Sequence, residues 1–330
     1  MTKDTLMDSI TLTRRQALAG VAALGAVGAL GLSACSDEPA PAGSGASDDA
    51  AEETVTKIDA DAYDALVAEG PVADDAAVSA SAWASAVKKA GVLRVGGVQT
   101  SALFSLMDET DGKLRGFDAG LFQLLTRYIL GDESKYEFTQ VTSDTRESVL
   151  TNDQVDTVFA TYSITDERKK LISFAGPYYT TQQGILVMAG NGDIAGVEDL
   201  DGKNVAAQSG STGPSVLEEY APKATVQEFK TDEEARSALE QGRVDAYVID
   251  QTMLLSDMAK RPGKYQLAGD PFGPVDPYGI GMPLDSDGVA FVNEFLRGIE
   301  DSGLWADLWQ VSIGDRAEIA EAPEPPAIGA

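Results

Sequence analysis

Histidine is absent from the 330-residue chain, and cysteine occurs once. Without histidine there is no Ser-His-Asp or Cys-His nucleophilic site, no His-ligated zinc and no imidazole pH switch. A single cysteine, Cys35, excludes an intrachain disulfide and a Cys-based metal cage. Neither a metal nor a cofactor is expected. Basic side chains are scarce, with 25 Lys plus Arg against 53 Asp plus Glu and a formal net charge of −28. Phosphate binding needs a basic surface, so nucleic acid is not expected as a partner. The remaining composition is ordinary for globular proteins, with 43% hydrophobic and 24% charged residues. At ~150 residues per domain the length suits about two domains.

The first 34 residues read as an address. Lys3 and the pair Arg14 and Arg15 precede an apolar, Ala- and Gly-rich run from Ala17 to Ala34. An apolar stretch after a twin arginine reads as an export signal. Its end, Leu32-Ser33-Ala34-Cys35, resembles a bacterial lipobox, in which the peptide is cut before a cysteine that is then lipidated. Eighteen apolar residues also just reach membrane-spanning length, but the repeated glycines and the placed cysteine favour cleavage and lipidation at Cys35. Losing Lys3, Asp4, Asp8, Arg14 and Arg15 would leave 22 basic and 51 acidic side chains. Residues 35–58 are small, acidic and rich in Pro, Gly and Ser, the composition of a flexible linker. A helical N-terminal extension is expected over 59–82.

From residue 83 onward, strand and helix patterns alternate, which predicts an α/β sheet. Gly91–Gly96, Tyr136–Val141 and Val155–Ala160 read as strands. Asp118–Leu130 reads as a helix by its 3.6-residue apolar spacing, with Gly131 as its stop. Arg146–Asn152 reads as a second helix. The same alternation returns between Lys203 and Ile249. Both stretches carry Leu, four residues, then Val-Asp before an apolar strand, at Leu150 and at Leu239. Two lobes of like build would give this: residues 83–181 plus 278–314 as the first, 182–277 as the second. Pro177–Gly184 reads as a link between the halves, and the Pro/Gly-rich Asp270–Gly279 as a connection. Residues 315–330, rich in Glu, Pro and Ala, read as a disordered tail.

Ala160-Thr-Tyr-Ser-Ile-Thr-Asp-Glu-Arg168, followed by Phe174-Ala-Gly-Pro-Tyr178, resembles the signature of the amino-acid-binding receptors of bacterial ABC importers. Gly116-Phe117-Asp118, Asp199-Leu-Asp-Gly-Lys203, Gly210-Ser-Thr212, Gly242-Arg-Val-Asp245 and Tyr278-Gly-Ile280 follow in the family's order. The resemblance spans roughly residues 83–312 and is nearest to the glutamate- and aspartate-binding branch. It implies a type II periplasmic-binding-protein-like fold: two α/β lobes, two hinge strands and a ligand in the cleft.

Local chemistry and the resemblance together give candidate residues. Thr165-Asp-Glu-Arg168 reads as a helix start, where Arg168 beside free backbone N–H groups suits a carboxylate. On local sequence alone a solvated arginine beside Lys169 and Lys170 is the favoured reading, which the resemblance reverses. The resemblance implies that Arg168 binds the ligand α-carboxylate. Thr161 and Ser163 stand at a strand end, where α/β sheets present ligands. Gly210–Pro214 leads into a helix, and the resemblance makes Thr212 the second lobe's carboxylate contact. Asp250 is either a helix cap or, as the resemblance implies, the acceptor of the ligand α-ammonium. Arg146 matches an arginine that acidic-amino-acid receptors use for the side-chain carboxylate. Two positions depart from that branch. Val98 stands where it has a lysine, and Asp232 where it has an aromatic residue. Losing a cation and gaining an acid points toward glutamine or asparagine.

The resemblance thus implies a monomeric, lipid-anchored, extracytoplasmic receptor. It would capture an amino acid, glutamate or aspartate first and glutamine or asparagine next, and deliver it to ABC permease and ATPase subunits. No enzymatic activity is expected. Some exported arogenate or prephenate dehydratases resemble these receptors, and a sensor input subunit would carry the same site.

Overall fold

The computed structural model describes residues 57–329. The expected signal with Arg14 and Arg15, the lipidation candidate Cys35 and nearly all of the expected linker lie outside the described residues.

Three helices come first: α1 (Ala60–Ala68), α2 (Asp75–Ala80) and α3 (Ala82–Ala90). Each starts on a side chain that accepts a free backbone N–H: Asp59 from Ala62, Asp74 from Ala77 and Ser81 from Ala84. The first lobe continues with β1 (Leu93–Gly97) and a small separate sheet of β2 (Thr100–Ser101), β3 (Ser105–Met107) and β4 (Leu114–Arg115). Then come α4 (Phe117–Leu130), β5 (Tyr136–Gln140), α5 (Arg146–Thr151) and β6 (Thr157–Phe159). The long strand β7 (Ser173–Met188) leads into the second lobe. That lobe holds β8 (Asn204–Gln208), α6 (Gly213–Tyr220), β9 (Thr225–Phe229), α7 (Asp232–Glu240), β10 (Ala246–Asp250), α8 (Gln251–Lys260) and β11 (Tyr265–Leu267). Strand β12 (Phe272–Met282) returns to the first lobe. There α9 (Gly288–Asp301), α10 (Leu304–Trp309) and the short α11 (Asp315–Ala317) follow.

The main sheet runs β5-β1-β6-β12-β7-β10-β8-β9, with β11 beside β7. Strands β1, β5 and β6 are parallel in one lobe, and β8, β9 and β10 are parallel in the other. Only β7 and β12 belong to both. They pair antiparallel through the crossing, Asp276 opposite Thr181 and Tyr278 opposite Tyr179. These are the two hinge strands of a type II α/β binding fold. The second lobe buries Leu200, Val205 and Val248 on one face of its sheet and Leu186, Tyr247 and Leu254 on the other. Both faces are covered, as parallel sheets require.

Three segments differ from expectation. The stretch 177–184, read as a link, is the middle of one 16-residue strand. The Pro/Gly-rich connection is the first half of β12, whose register shifts between Phe272 and Asp276 and between Tyr278 and Ile280 absorb its prolines and glycines. The segment expected as a disordered tail is packed. Ile319, Ala322 and Ile328 lie on the first-lobe core, and the Gly329 N–H donates to the Gly176 carbonyl. Average composition misled there, because a few apolar side chains suffice to seat a short segment. The expected extension is likewise docked. Tyr63 is buried, its hydroxyl 3.0 Å from the Gly116 carbonyl, and Asp64 receives Arg115 through two bonds of 2.8 Å.

Candidate functional site

Residues of the two lobes meet across a cavity of about 200 Å³. Val98, Arg146, Thr161 and Ser163 line it from the first lobe, and Asp232, Arg236 and Asp250 from the second. Thr161 adopts a left-handed backbone, φ 42°, unusual for a non-glycine residue. Asp118, fully buried on α4, holds it there. One carboxylate oxygen accepts the Thr161 N–H at 2.8 Å and the other the Tyr178 hydroxyl at 2.8 Å. Burial pushes the Asp118 carboxyl up to about 6.

Arg146 begins α5 and is 3% exposed. Its Nη1 donates to the Ala160 carbonyl at 3.1 Å, and its guanidinium lies 4.0 Å from the Tyr162 ring centre. Its Nε has no hydrogen-bond partner. Burial, reinforced by neighbouring Arg168, pulls Arg146 down to about 10. Both disfavour the charged guanidinium.

Arg168 is also buried, at 8% exposed, but does not line the cavity. Its turn is a three-residue 3-10 segment, Arg168–Lys170, rather than the expected helix. Nη1 donates to the Ser163 carbonyl at 2.7 Å and Nη2 to the Gly210 carbonyl at 2.8 Å, so the guanidinium ties the lobes together. Glu147 stands 3.5 Å from its Nε. Thr212 is also withdrawn from the cavity lining, donating to Asp276 at 2.8 Å. The structure therefore brings Arg146, Thr161, Ser163 and Asp250 to the cavity, with Arg168 and Thr212 on the seam beside it.

That seam is closed. Ser209 donates to Asp144 at 2.6 Å, Lys260 to the Thr100 carbonyl at 2.9 Å, and the Ser101 and Ser256 hydroxyls meet at 3.1 Å. Gly210 has φ +70°, and a Cβ there would lie 2.5 Å from Asp144 Oδ1. Glycine is required on both counts.

Asp250 ends β10 facing inward. One donor from each hinge strand holds it: Gln183 Nε2 on Oδ1 and the Tyr278 hydroxyl on Oδ2 at 2.6 Å. Burial, then the neighbouring Asp276, pushes it up to about 7. On the second-lobe wall, Thr231 and Glu234 form a capping box that fixes the start of α7. This aims Asp232, Glu233 and Arg236 at the cleft. Arg236, 1% exposed, is already matched by acids: Asp232 at 2.9 Å, Asp257 at 2.8 Å and Glu233 at 2.6 Å. Sequence reasoning passed over Arg236 although the i,i+4 pair with Asp232 was visible. It also passed over Asp118, Gln183 and Asp276, for which spacing gives no signal.

Residues 93–312 match the family model of bacterial extracellular solute-binding proteins, family 3. The chain belongs to that family. Among its relatives is the ABC transporter glutamine-binding protein GlnH of Bacillus subtilis, 37% identical over 217 residues, 65% of this chain and 78% of the relative. The glutamate-binding protein GluB of Corynebacterium efficiens is 29% identical over 226 residues, 65% of this chain and 76% of the relative. A solved structure of an ancestral arginine-binding protein bound to arginine superposes with a TM-score of 0.62 at 33% identity, covering 68% of this chain and 99% of the other. As a family 3 solute-binding protein the chain works outside the cytoplasm. None of its described helices is long and apolar enough to cross a membrane.

Proposed function

We propose that this family 3 receptor binds an α-amino acid with a neutral amide side chain, glutamine ahead of glutamate, and delivers it to an ABC permease. The carrying observation is the charge around the cavity. Arg146, Arg168 and Arg236 stand among Asp232, Glu233, Asp250, Asp257, Asp276 and Glu147. Acids outnumber cations, and Arg236 is committed to three of them. A second carboxylate on the ligand finds only Arg146. A side-chain amide does better, because its oxygen accepts from Arg146 while its N–H groups donate to the acidic wall at Asp232. This ordering reverses the one implied by the resemblance, and Val98 and Asp232 are the departures behind it. The relatives named for glutamine and glutamate support the ligand class.

In this reading Asp250 takes the α-ammonium. Arg168, released from the Gly210 carbonyl, takes the α-carboxylate with Thr212. Closure is favoured because the ligand contacts both lobes only when they are shut. The receptor is a binding protein without turnover. Residues 1–34 are its export signal, Cys35 its lipid anchor and 35–58 its tether, with the lobes divided at 181/182 and 277/278. A cationic amino acid is the second reading, favoured by the excess of acids and opposed by Arg146 in the cavity.

Thermal-shift screening against the twenty amino acids tests this. Glutamine should give the largest rise in Tm, glutamate a clearly smaller one, and Asp232→Ala should narrow the gap. Glutamate equalling glutamine, or no rise with any amino acid, contradicts the proposal.

A further inference from the structure

Behind the cavity, the crossing strands place a second buried acid that the ligand reading leaves unused. Asp276 lies on β12 and is 7% exposed. Its Oδ2 accepts from Thr212 at 2.8 Å, while its Oδ1 is buried without a hydrogen-bond partner. The Gln183 Nε2 links Asp250 to Asp276 by way of Thr212, donating to Asp250 Oδ1 and, at 3.1 Å, to the same Thr212 Oγ1 that donates to Asp276. Gln183, 1% exposed, leaves its own Oε1 unpartnered. Two buried carboxylates are thus linked through Gln183 and Thr212, and no cation forms an ion pair with either acid among the described residues.

We propose that Asp276 is the second acid of the ammonium subsite. With Asp250 it forms a pair that holds one proton between them while the cleft is empty, and releases it to solvent when a ligand ammonium arrives. The inference rests on the reading of Asp250 as the ammonium acceptor. Asp276 acts through Thr212, Gln183 and Asp250, so it is a positioning residue.

The surrounding groups fit. From the first lobe Arg146, Arg168 and the Ser163 hydroxyl face the pair, and from β12 the Tyr278 hydroxyl does. Arg146 lowers both acids, Tyr278 lowers Asp250, and Arg168 and Ser163 lower Asp276. Burial outweighs them, raising Asp276, and with repulsion from Asp276 it raises Asp250 to about 7. Two close carboxylates away from water do not both ionise unless a cation joins them. An ammonium supplies that cation, so proton and ligand compete. Affinity should then fall as pH drops, by up to ~tenfold per unit below the pair's titration. The site also gains a selectivity: a ligand lacking the α-ammonium has no means of displacing the proton.

The test has a ligand-free arm and a binding arm, both on the purified full chain. In the first, Asp carboxyl carbons are followed by ¹³C NMR through a pH titration of the empty protein, with Asp250→Asn and Asp276→Asn assigning the two signals. One member of the pair should titrate near 7, and in Asp276→Asn the Asp250 signal should move down by about one pH unit or more. Both carboxyls titrating in the ordinary range, or an Asp250 titration indifferent to Asp276→Asn, overturns the pair. The wild-type titration alone decides if the variant does not fold. In the second arm, glutamine is titrated calorimetrically at pH 7 in two buffers of different ionisation heat. Wild type should release a substantial fraction of a proton, Asp276→Asn almost none, and Asp276→Glu should restore the release. Equal release in wild type and Asp276→Asn overturns the proposal. Failure of the receptor reading shows differently, as no binding heat with any amino acid while the ligand-free titration stands.

Discussion

In the proposed reading Arg168, on the seam beside the cavity, is the residue that takes the ligand α-carboxylate. Its fork satisfies two backbone carbonyls, Ser163 and Gly210, that belong to different lobes, and its charge offsets a share of the acids around it. Removing it should leave a ligand carboxylate unpaired in a desolvated cleft, at a cost of ~3–5 kcal/mol. We therefore expect Arg168→Ala to bind ~100- to 4000-fold more weakly by calorimetry. Its urea transition should remain cooperative, since the core residues are untouched. Near-normal affinity would remove Arg168 from the site. Much of this role was invisible locally. Arg168 beside Lys169 and Lys170 reads as a solvated cation, and one of its two carbonyl partners lies 42 residues away in sequence. Asp276 was hidden for a different reason. Its neighbours Pro274, Pro277 and Gly279 mark a loop by composition, so the strand that aims it at Asp250 goes unseen.

At the scale of elements, the alternating strands and helices of both lobes were readable because each carries its own period of apolar residues. Strand β5 and helix α5 begin at the expected residues. The hinge strands were not readable, because β7 carries Thr and Gln through its middle and β12 Pro and Gly, in place of an alternating apolar pattern. The small hairpin sheet was missed as well, since strands of two or three residues are too short to show alternation. The seam between lobes is built from such elements and makes its own prediction. Gly210→Ala puts a methyl group where Asp144 Oδ1 stands, on a backbone that disfavours it. Position 210 is exposed, on a turn outside either lobe's core, so the lobes should fold and fail to shut. Stopped-flow release of glutamine should be at least ~tenfold faster than wild type, the direction in which most affinity changes appear. Unchanged release would show that the seam is not used in retention.

The whole molecule should respond to pH in opposite senses when empty and when filled. Asp250, up to about 7, and Asp118, up to about 6, hold protons more tightly folded than unfolded. Acids shifted upward favour the folded state at low pH, and that advantage is lost as pH rises through their folded values. Asp111, down to about 2 beside Arg115, and the similarly lowered Asp64 contribute stability that is lost only as pH falls below about 4. The empty protein should therefore melt a few degrees higher at pH 5.5 than at pH 8, and Asp250→Asn should flatten that difference. The rise in Tm given by saturating glutamine should run the other way and be largest at pH 8. Scanning calorimetry with and without glutamine reads both, and a ligand-induced rise that grows toward acid pH would contradict the account.

Calorimetric titration of the purified chain at pH 8 with glutamine and then with glutamate is the most direct test of the central claim, an amino-acid cleft whose charge selects a neutral side chain. Saturable one-to-one binding of glutamine, at least ~tenfold tighter than glutamate and so separated by ~1.4 kcal/mol or more, is the predicted result. Glutamate binding as tightly as glutamine, or better, would contradict it and return Arg146 to a side-chain carboxylate.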